Sequence, residues 1–266
     1  MPAITAKWNA ADYAANSAVQ QAWARELIAK LKLRGDEHIL DVGCGDGKVT
    51  AEIARAVPHG SVTGVDASRQ MITFAKSAFP AKKSSNLAFC VMDARWLRFA
   101  HRFDVIFSNA AFHWVDDHQA ILCGAAASLK PGGRLIVSCG GKGNAQDVFV
   151  ALRPVMRLAR WRKFFRQMAK PYFFYAPEDY EKWLPRLGFK TCRIELAPKD
   201  ATYNGAEGFA AWLRTTWLPY TQRVPDELRE EFIGAVTGRY VAKHPADESG
   251  KIHVRMIRLE IDAVKV

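Results

Sequence analysis

No stretch of the 266-residue sequence reaches the roughly twenty consecutive apolar residues that a membrane-crossing helix needs, and charges and polar groups interrupt the first thirty residues throughout. Neither a span nor a secretory apolar segment is expected, and the chain reads as cytoplasmic. Cysteine is sparse: Cys44, Cys90, Cys123, Cys139 and Cys192 are odd in number, widely spaced and form no C-x-x-C pair. That excludes a disulfide framework and the common structural zinc patterns, and it leaves free thiols in a reducing compartment. Internal repeats and low-complexity linkers are also missing. Apolar residues at 49% and charged residues at 24% sit near the globular average, so disorder is not expected.

Acidic residues are absent from one region. Between Ala151 and Lys170 stand seven cations (Arg153, Arg157, Arg160, Arg162, Lys163, Arg166, Lys170) and no carboxylate, more than half of the net charge of +11. Such a stretch suits an anionic partner, and charge alone does not choose among nucleic acid, membrane surface and a small acid. A solvated amphipathic lid, with Arg153, Arg157 and Arg160 on one helical face, is one reading. Drawing in an anionic substrate is another, and binding a polyanion with the help of Trp161, Phe164 and Phe165 is a third.

What is present alternates. Apolar residues at helical spacing from Ser17 to Leu33 predict an N-terminal helix, and His38–Val42 reads as a buried strand. A glycine-rich turn and a helix from about 48 to 57 follow. Strands are then predicted at 61–65 (ending at Asp66), 87–92 (ending at Asp93), 103–107 and 134–138, with helices from about 68 to 78 and 117 to 129 between them. This βαβ rhythm specifies a doubly wound, mostly parallel sheet with helices on both faces. After Gly143 the rhythm stops: helices rich in aromatics and arginine extend to about 186, a strand covers 189–196, helices cover 205–218 and 226–241, and a last strand covers 252–264. One domain is expected, with a core of about 36–143, 188–197 and 251–266 and a helical cap of about 144–187 and 205–243.

The turn Asp41-Val-Gly-Cys-Gly-Asp-Gly47 joins a strand to a helix, where glycine lets the backbone approach a ligand and helix N–H groups point outward. A nicotinamide fingerprint fails because Lys48 stands at its third small position. A phosphate-binding loop fails twice, at Val42 and Val49. What remains places two acids, Asp41 and Asp46, where they would repel a pyrophosphate and attract a cation.

Asp41 to Gly47, with Asp66 and Asp93 ending the next two strands, strongly resembles the class I S-adenosylmethionine-dependent methyltransferase pattern. The resemblance implies a Rossmann-like seven-stranded sheet whose last strand is antiparallel. It also implies that the backbone of Gly43, Cys44, Gly45 and Gly47 passes under the methionyl part of S-adenosylmethionine, with Asp41 toward its amine. Asp66, beside Ala67, would take the ribose hydroxyls. Met71 would cover an adenine face, Asp93 and Ala94 would read the adenine edge, and Asn109 and Ala110 would line the methionyl side.

Methyl transfer from a sulfonium is an in-line displacement that needs alignment rather than a protein nucleophile. In Asn109-Ala-Ala-Phe-His-Trp-Val the two prolines of base- and glutamine-directed enzymes are missing, and no Pro-Cys pair suits cytosine C5 methylation, so nucleic acid is disfavoured as acceptor. Phe-His-Trp-Val and Tyr13–Gln20 resemble the trans-aconitate and juvenile hormone acid O-methyltransferases. That likeness implies a small acidic substrate esterified at a carboxylate, with Tyr13, Gln20, His113 and Trp114 around it. His113 is the evident base candidate near the fourth strand, and no essential catalytic side chain is expected. A metal is not expected: His113 and His118, five residues apart, do not share a helix face even with Asp116 and Asp117 nearby. The alternatives are a carrier-bound or other macromolecular acceptor, and a protein that binds the cofactor without turnover.

Overall fold

The protein is described by a computed structural model covering residues 18–266, of which the side chains are described from Gln21 onward. Helix α1 is Ala18–Ala29, followed by β1 His38–Val42, α2 Lys48–Ala56, β2 Ser61–Asp66, α3 Arg69–Ala78 and β3 Leu87–Val91. Then come β4 Phe103–Asn109, α4 His118–Ser128, β5 Leu129–Gly140, α5 Gln146–Arg157, α6 Pro177–Arg186, β6 Phe189–Asn204, α7 Gly205–Thr216, α8 Leu218–Thr221, α9 Asp226–Val241 and β7 Lys251–Lys265. Among the described residues no helix is long and apolar enough to cross a membrane.

The seven strands form one sheet in the order β3-β2-β1-β4-β5-β7-β6. The first five are parallel and β7 pairs antiparallel with β5, from Arg134 opposite Val264 to Gly140 opposite Arg258. Both faces of the parallel strands are apolar, as crossover helices require. Leu40, Val42, Ile106, Leu135 and Val137 pack with Ile121, Leu122 and Ala125 of α4 and with Tyr180 and Leu184 of α6. Ile39, Val62, Val105, Phe107 and Ile136 face the other way, against α1, α2 and α3. Strand order reverses between β1 and β4, so the loops leaving those two strands flank the crevice where open α/β sheets take ligands.

The chain divides into two compact units. One comprises Ser17–Lys142, Tyr172–Ala197 and Arg258–Val266; the other takes in Gly143–Pro171 and Pro198–Ile257. Strands β6 and β7 each contribute residues to both. The second unit has its own core, in which Phe149 meets Trp217 edge-on at 4.9 Å, Trp161 meets Phe232 at 5.5 Å and Phe209 stacks on Tyr240 at 4.5 Å. Val148, Leu152, Trp217, Phe232 and Val236 surround a small apolar void there.

Three sequence expectations change. Residues 166–176 form no helix, because Pro171 and the aromatic run after it favour extended backbone, and only 146–157 and 177–186 are α-helical in that region. Since α5 ends at Arg157, Arg160 lies beyond it and does not share its face with Arg153 and Arg157. Residues 172–187, expected in a cap, cluster with the sheet because Tyr180 and Leu184 of α6 are fully buried in its core.

Candidate functional site

Three carboxylates gather where β1 and β2 end. Asp41 is buried one residue before the end of β1, and its Oδ2 accepts from Thr50 Oγ1 at 2.7 Å. Asp66 accepts from the Gly45 amide at 3.0 Å through Oδ2 and from the Ser68 amide at 2.8 Å through Oδ1. Asp46 is buried within the loop, where Oδ1 accepts from the Lys48 amide; no hydrogen bond reaches Oδ2, which lies 3.6 Å from the Lys48 ammonium. Burial is the leading cause that raises all three carboxyls, Asp41 to about 7, and burial, followed by the neighbouring carboxylates, pushes the Cys44 thiol well up. A buried, hydrogen-bond-orphaned carboxylate oxygen beside two more acids fits a ligand bearing an ammonium and a sulfonium.

The loop backbone is shaped for close approach. Gly43, Gly45 and Gly47 all have positive φ, at 81°, 53° and 82°. A Cβ on Gly43 would stand 2.1 Å from that of Ala111, so glycine is required where this loop meets the one after β4. The Gly43 and Cys44 amides both donate to Val65 O, which ties the loop to β2.

Other expected cofactor positions differ in readiness. Ala67 is exposed beside Asp66. Met71, on α3, is buried, and its amide donates to the capping Ser68 Oγ. Asp93 caps the 3₁₀ turn Ala94–Trp96, and both its oxygens accept from Arg95, whose guanidinium holds the carboxyl below its usual range. Reading an adenine edge through Asp93 would use the acceptor capacity that Arg95 leaves on Oδ2. Asn109 ends β4, and Ala110 after it has φ of 60°, a strained conformation for a residue with a Cβ, held by donation of its amide to Ser138 O at 2.8 Å.

On the far side of Asn109 lies an aromatic wall. The 3₁₀ turn Phe112–Trp114 presents His113 and Trp114 to Tyr172 and Phe174: Trp114 meets Tyr172 edge-on at 4.9 Å, and Tyr172 stacks on Phe174 at 5.7 Å. The Gly140 amide donates to His113 Nδ1 at 3.2 Å, and the Phe173 amide donates to His113 O at 2.9 Å. Burial, then the Arg258 charge, lowers the His113 pKa well below the usual imidazole range. The ring is therefore neutral with Nδ1 accepting, which leaves its proton on Nε2.

Arg258 of β7 is buried at 4% exposure, donating to Ser138 O at 2.6 Å and to Asn109 Oδ1 at 3.2 Å, with its guanidinium 5.3 Å from the Trp23 ring centre. Sequence reasoning missed this residue. Its signal was the alternation of β7, in which Arg258 shares parity with Ile252, Val254 and Met256. Tyr172 and Phe174 were missed because their segment was read as helical. Tyr13 lies outside the described residues. Gln20 falls on α1 one turn before Trp23, and its side chain is likewise outside them. Among the described residues no group of three His, Cys, Asp or Glu side chains is arranged to hold a metal.

Residues 39–133 match the family model of a methyltransferase domain. The chain is 28% identical to a trans-aconitate 2-methyltransferase of Agrobacterium fabrum over 97% of its own length and 99% of that protein's. It is also 28% identical to an uncharacterized methyltransferase of Schizosaccharomyces pombe, over 86% and 88% of the two chains. A crystal structure from Bacillus halodurans C-125 shares the fold, with a TM-score of 0.62 at 20% identity over 92% of this chain and 99% of the other. Sheet order, glycine loop and matched domain together define a class I S-adenosylmethionine-dependent methyltransferase, with S-adenosylmethionine as its cofactor. Within that class the chain resembles the trans-aconitate group.

Proposed function

We propose that the protein esterifies a carboxylate oxygen of a small acidic molecule. The observation that carries this reading is the state of His113. Its Nδ1 is engaged by the Gly140 amide and its Nε2 is protonated, so the imidazole beside Trp114, Tyr172 and Phe174 is a donor and not a base. A phenol or amine acceptor benefits from a base, whereas a carboxylate is already ionised and needs only alignment and a dry site. The buried Arg258 guanidinium adds positive potential beside Asn109, which favours an anion there.

Bound S-adenosylmethionine supplies an electrophilic methyl group on a positive sulfur. Asp41 and Asp46 would meet its ammonium, the Gly43–Gly47 backbone would hold its methionyl part, and Asp66 would accept from its ribose hydroxyls. Trp114, with Tyr172 and Phe174, excludes water from the transfer site, and the His113 Nε2–H orients the acceptor carboxylate. Turnover with methyl-labelled cofactor against dicarboxylic acids, fatty acids and carrier-bound acyl groups tests the reading. The expected product is a base-labile ester that releases labelled methanol, and alkali-stable label on any acceptor would overturn it. The seven exposed cations of 153–170 favour a second reading, a carrier-bound acid, which would show as turnover with carrier substrates alone. Tight cofactor binding without product from any acceptor would indicate a non-catalytic binding protein.

A further inference from the structure

The turn that carries His113 and Trp114 is held from behind by two buried polar side chains that the esterification reading does not use. His118 opens α4 and Tyr180 lies on α6, at 1% and 0% exposure. His118 Nε2 is 2.8 Å from Phe112 O, and its Nδ1 is 2.5 Å from the Tyr180 hydroxyl. A carbonyl only accepts, so Nε2 carries the proton and Nδ1 accepts from the tyrosine O–H. Burial favours the neutral ring and lowers its pKa to about 4. The neighbouring acids are engaged elsewhere: Asp117 caps α4 through the Ala120 amide and Asp116 pairs with Arg95. The His118 ring also lies edge-on to Phe112 and Tyr175, and Tyr175 donates its hydroxyl to Asp116 O at 2.8 Å.

Both halves of the aromatic wall therefore converge on one imidazole. The 112–114 turn reaches it through a carbonyl, and the 172–175 segment reaches it through the Tyr175 ring while the Phe173 amide grips His113 O. We propose that the His118–Tyr180 pair is a positioning element that fixes Trp114 and His113 against Tyr172 and Phe174, and so sets acceptor alignment without touching the acceptor. Apolar side chains of the same size would fill this volume, but they would not direct the Phe112 carbonyl. Direction matters here because a misplacement of about 1 Å costs in-line transfer on the order of a hundredfold. The inference rests on the reading of Trp114 as part of the acceptor wall.

Tyr180→Phe removes the hydroxyl and keeps the ring. The expected result is a folded protein whose cofactor Kd stays within about twofold while kcat/KM for the acid falls about tenfold or more. His118→Ala should do the same, and His118→Gln should restore part of the loss, because its amide can donate to Phe112 O and accept from Tyr180. Kinetics unchanged in Tyr180→Phe, or cofactor affinity falling in step with turnover, would overturn the proposal. A second readout needs no acceptor. In protein labelled with 5-fluorotryptophan, the Trp114 fluorine resonance, assigned by Trp114→Phe, should shift or broaden in Tyr180→Phe while that of Trp212 does not. A Trp114 resonance that stays put would sink the positioning role, whereas absence of acid turnover in the wild type would sink only the carboxylate reading.

Discussion

Burial holds the Asp41 carboxyl near pKa 7, so close to neutral pH this side chain is partly protonated until a cation arrives. An exposed aspartate ionises near about 3.9. Between those values the folded chain keeps a proton that the unfolded chain has lost, so Asp41 lowers stability as pH rises from about 4 to 7. Denaturant unfolding at pH 5 and 7.5 should show a loss that Asp41→Asn flattens, bounded by about 1.4 kcal/mol per pH unit. Cofactor binding has the opposite slope, since an ammonium favours the ionised form: affinity should rise through pH 7 with release of up to one proton. Calorimetry in buffers of different ionisation enthalpy measures that proton, and an enthalpy independent of buffer would contradict it. Asp66 makes a separate prediction. Its oxygens also receive the Gly45 and Ser68 amides, so Asp66→Asn, which keeps an acceptor, is a cleaner probe than alanine. Cofactor affinity should fall about tenfold to a hundredfold through loss of charge-assisted bonds, and the melting temperature should fall modestly, because the new NH2 must face one of the two amide donors.

At the scale of elements, the loop after β1 and the turn after β4 act as one device. Gly43→Ala would place a methyl 2.1 Å from Ala111 Cβ at a φ of 81°, and the backbone must shift to relieve it. We expect a loss of about 1–3 kcal/mol in stability, seen in thermal unfolding, with weakened cofactor binding. Trp114→Ala should reduce turnover far more than cofactor affinity, measured by kinetics against calorimetry, if the ring belongs to the acceptor wall as proposed. The two elements were unequally legible. Asp41 to Gly47 is contiguous and has spacing that rules out other nucleotide loops, so the sequence read it directly. The wall joins residues 112–114 to 172–174, and its second half was read as helix because aromatic and basic residues offered no period to distinguish helix from extended chain.

For the whole molecule, the net charge of +11 is concentrated where Arg153, Arg157, Arg162, Lys163 and Arg166 are all exposed. If the acceptor is an acid, as proposed, a field of this sign attracts it from solution, and that attraction is screened beyond about 10 Å at 0.1 M salt. The KM for the acid should therefore rise between low and high salt with kcat held, and Arg153→Gln/Arg157→Gln/Arg162→Gln should flatten that dependence in steady-state kinetics. A salt response identical in the triple variant would place the steering elsewhere. The same substitutions should leave stability within about 0.5 kcal/mol, since exposed charges away from packed features contribute little.

The sequence by itself determined the alternating α/β order, the sheet strands and the cofactor loop, because those depend on local period and on residues close together in the chain. The tertiary structure alone decided which distant groups meet. Arg258 reaches Asn109 across 149 positions, and Tyr180 reaches His118 across 62. Only the sheet order, which sets β7 beside β5, and the burial of α6 against the core brought these pairs together, and no spacing within the chain encodes either contact.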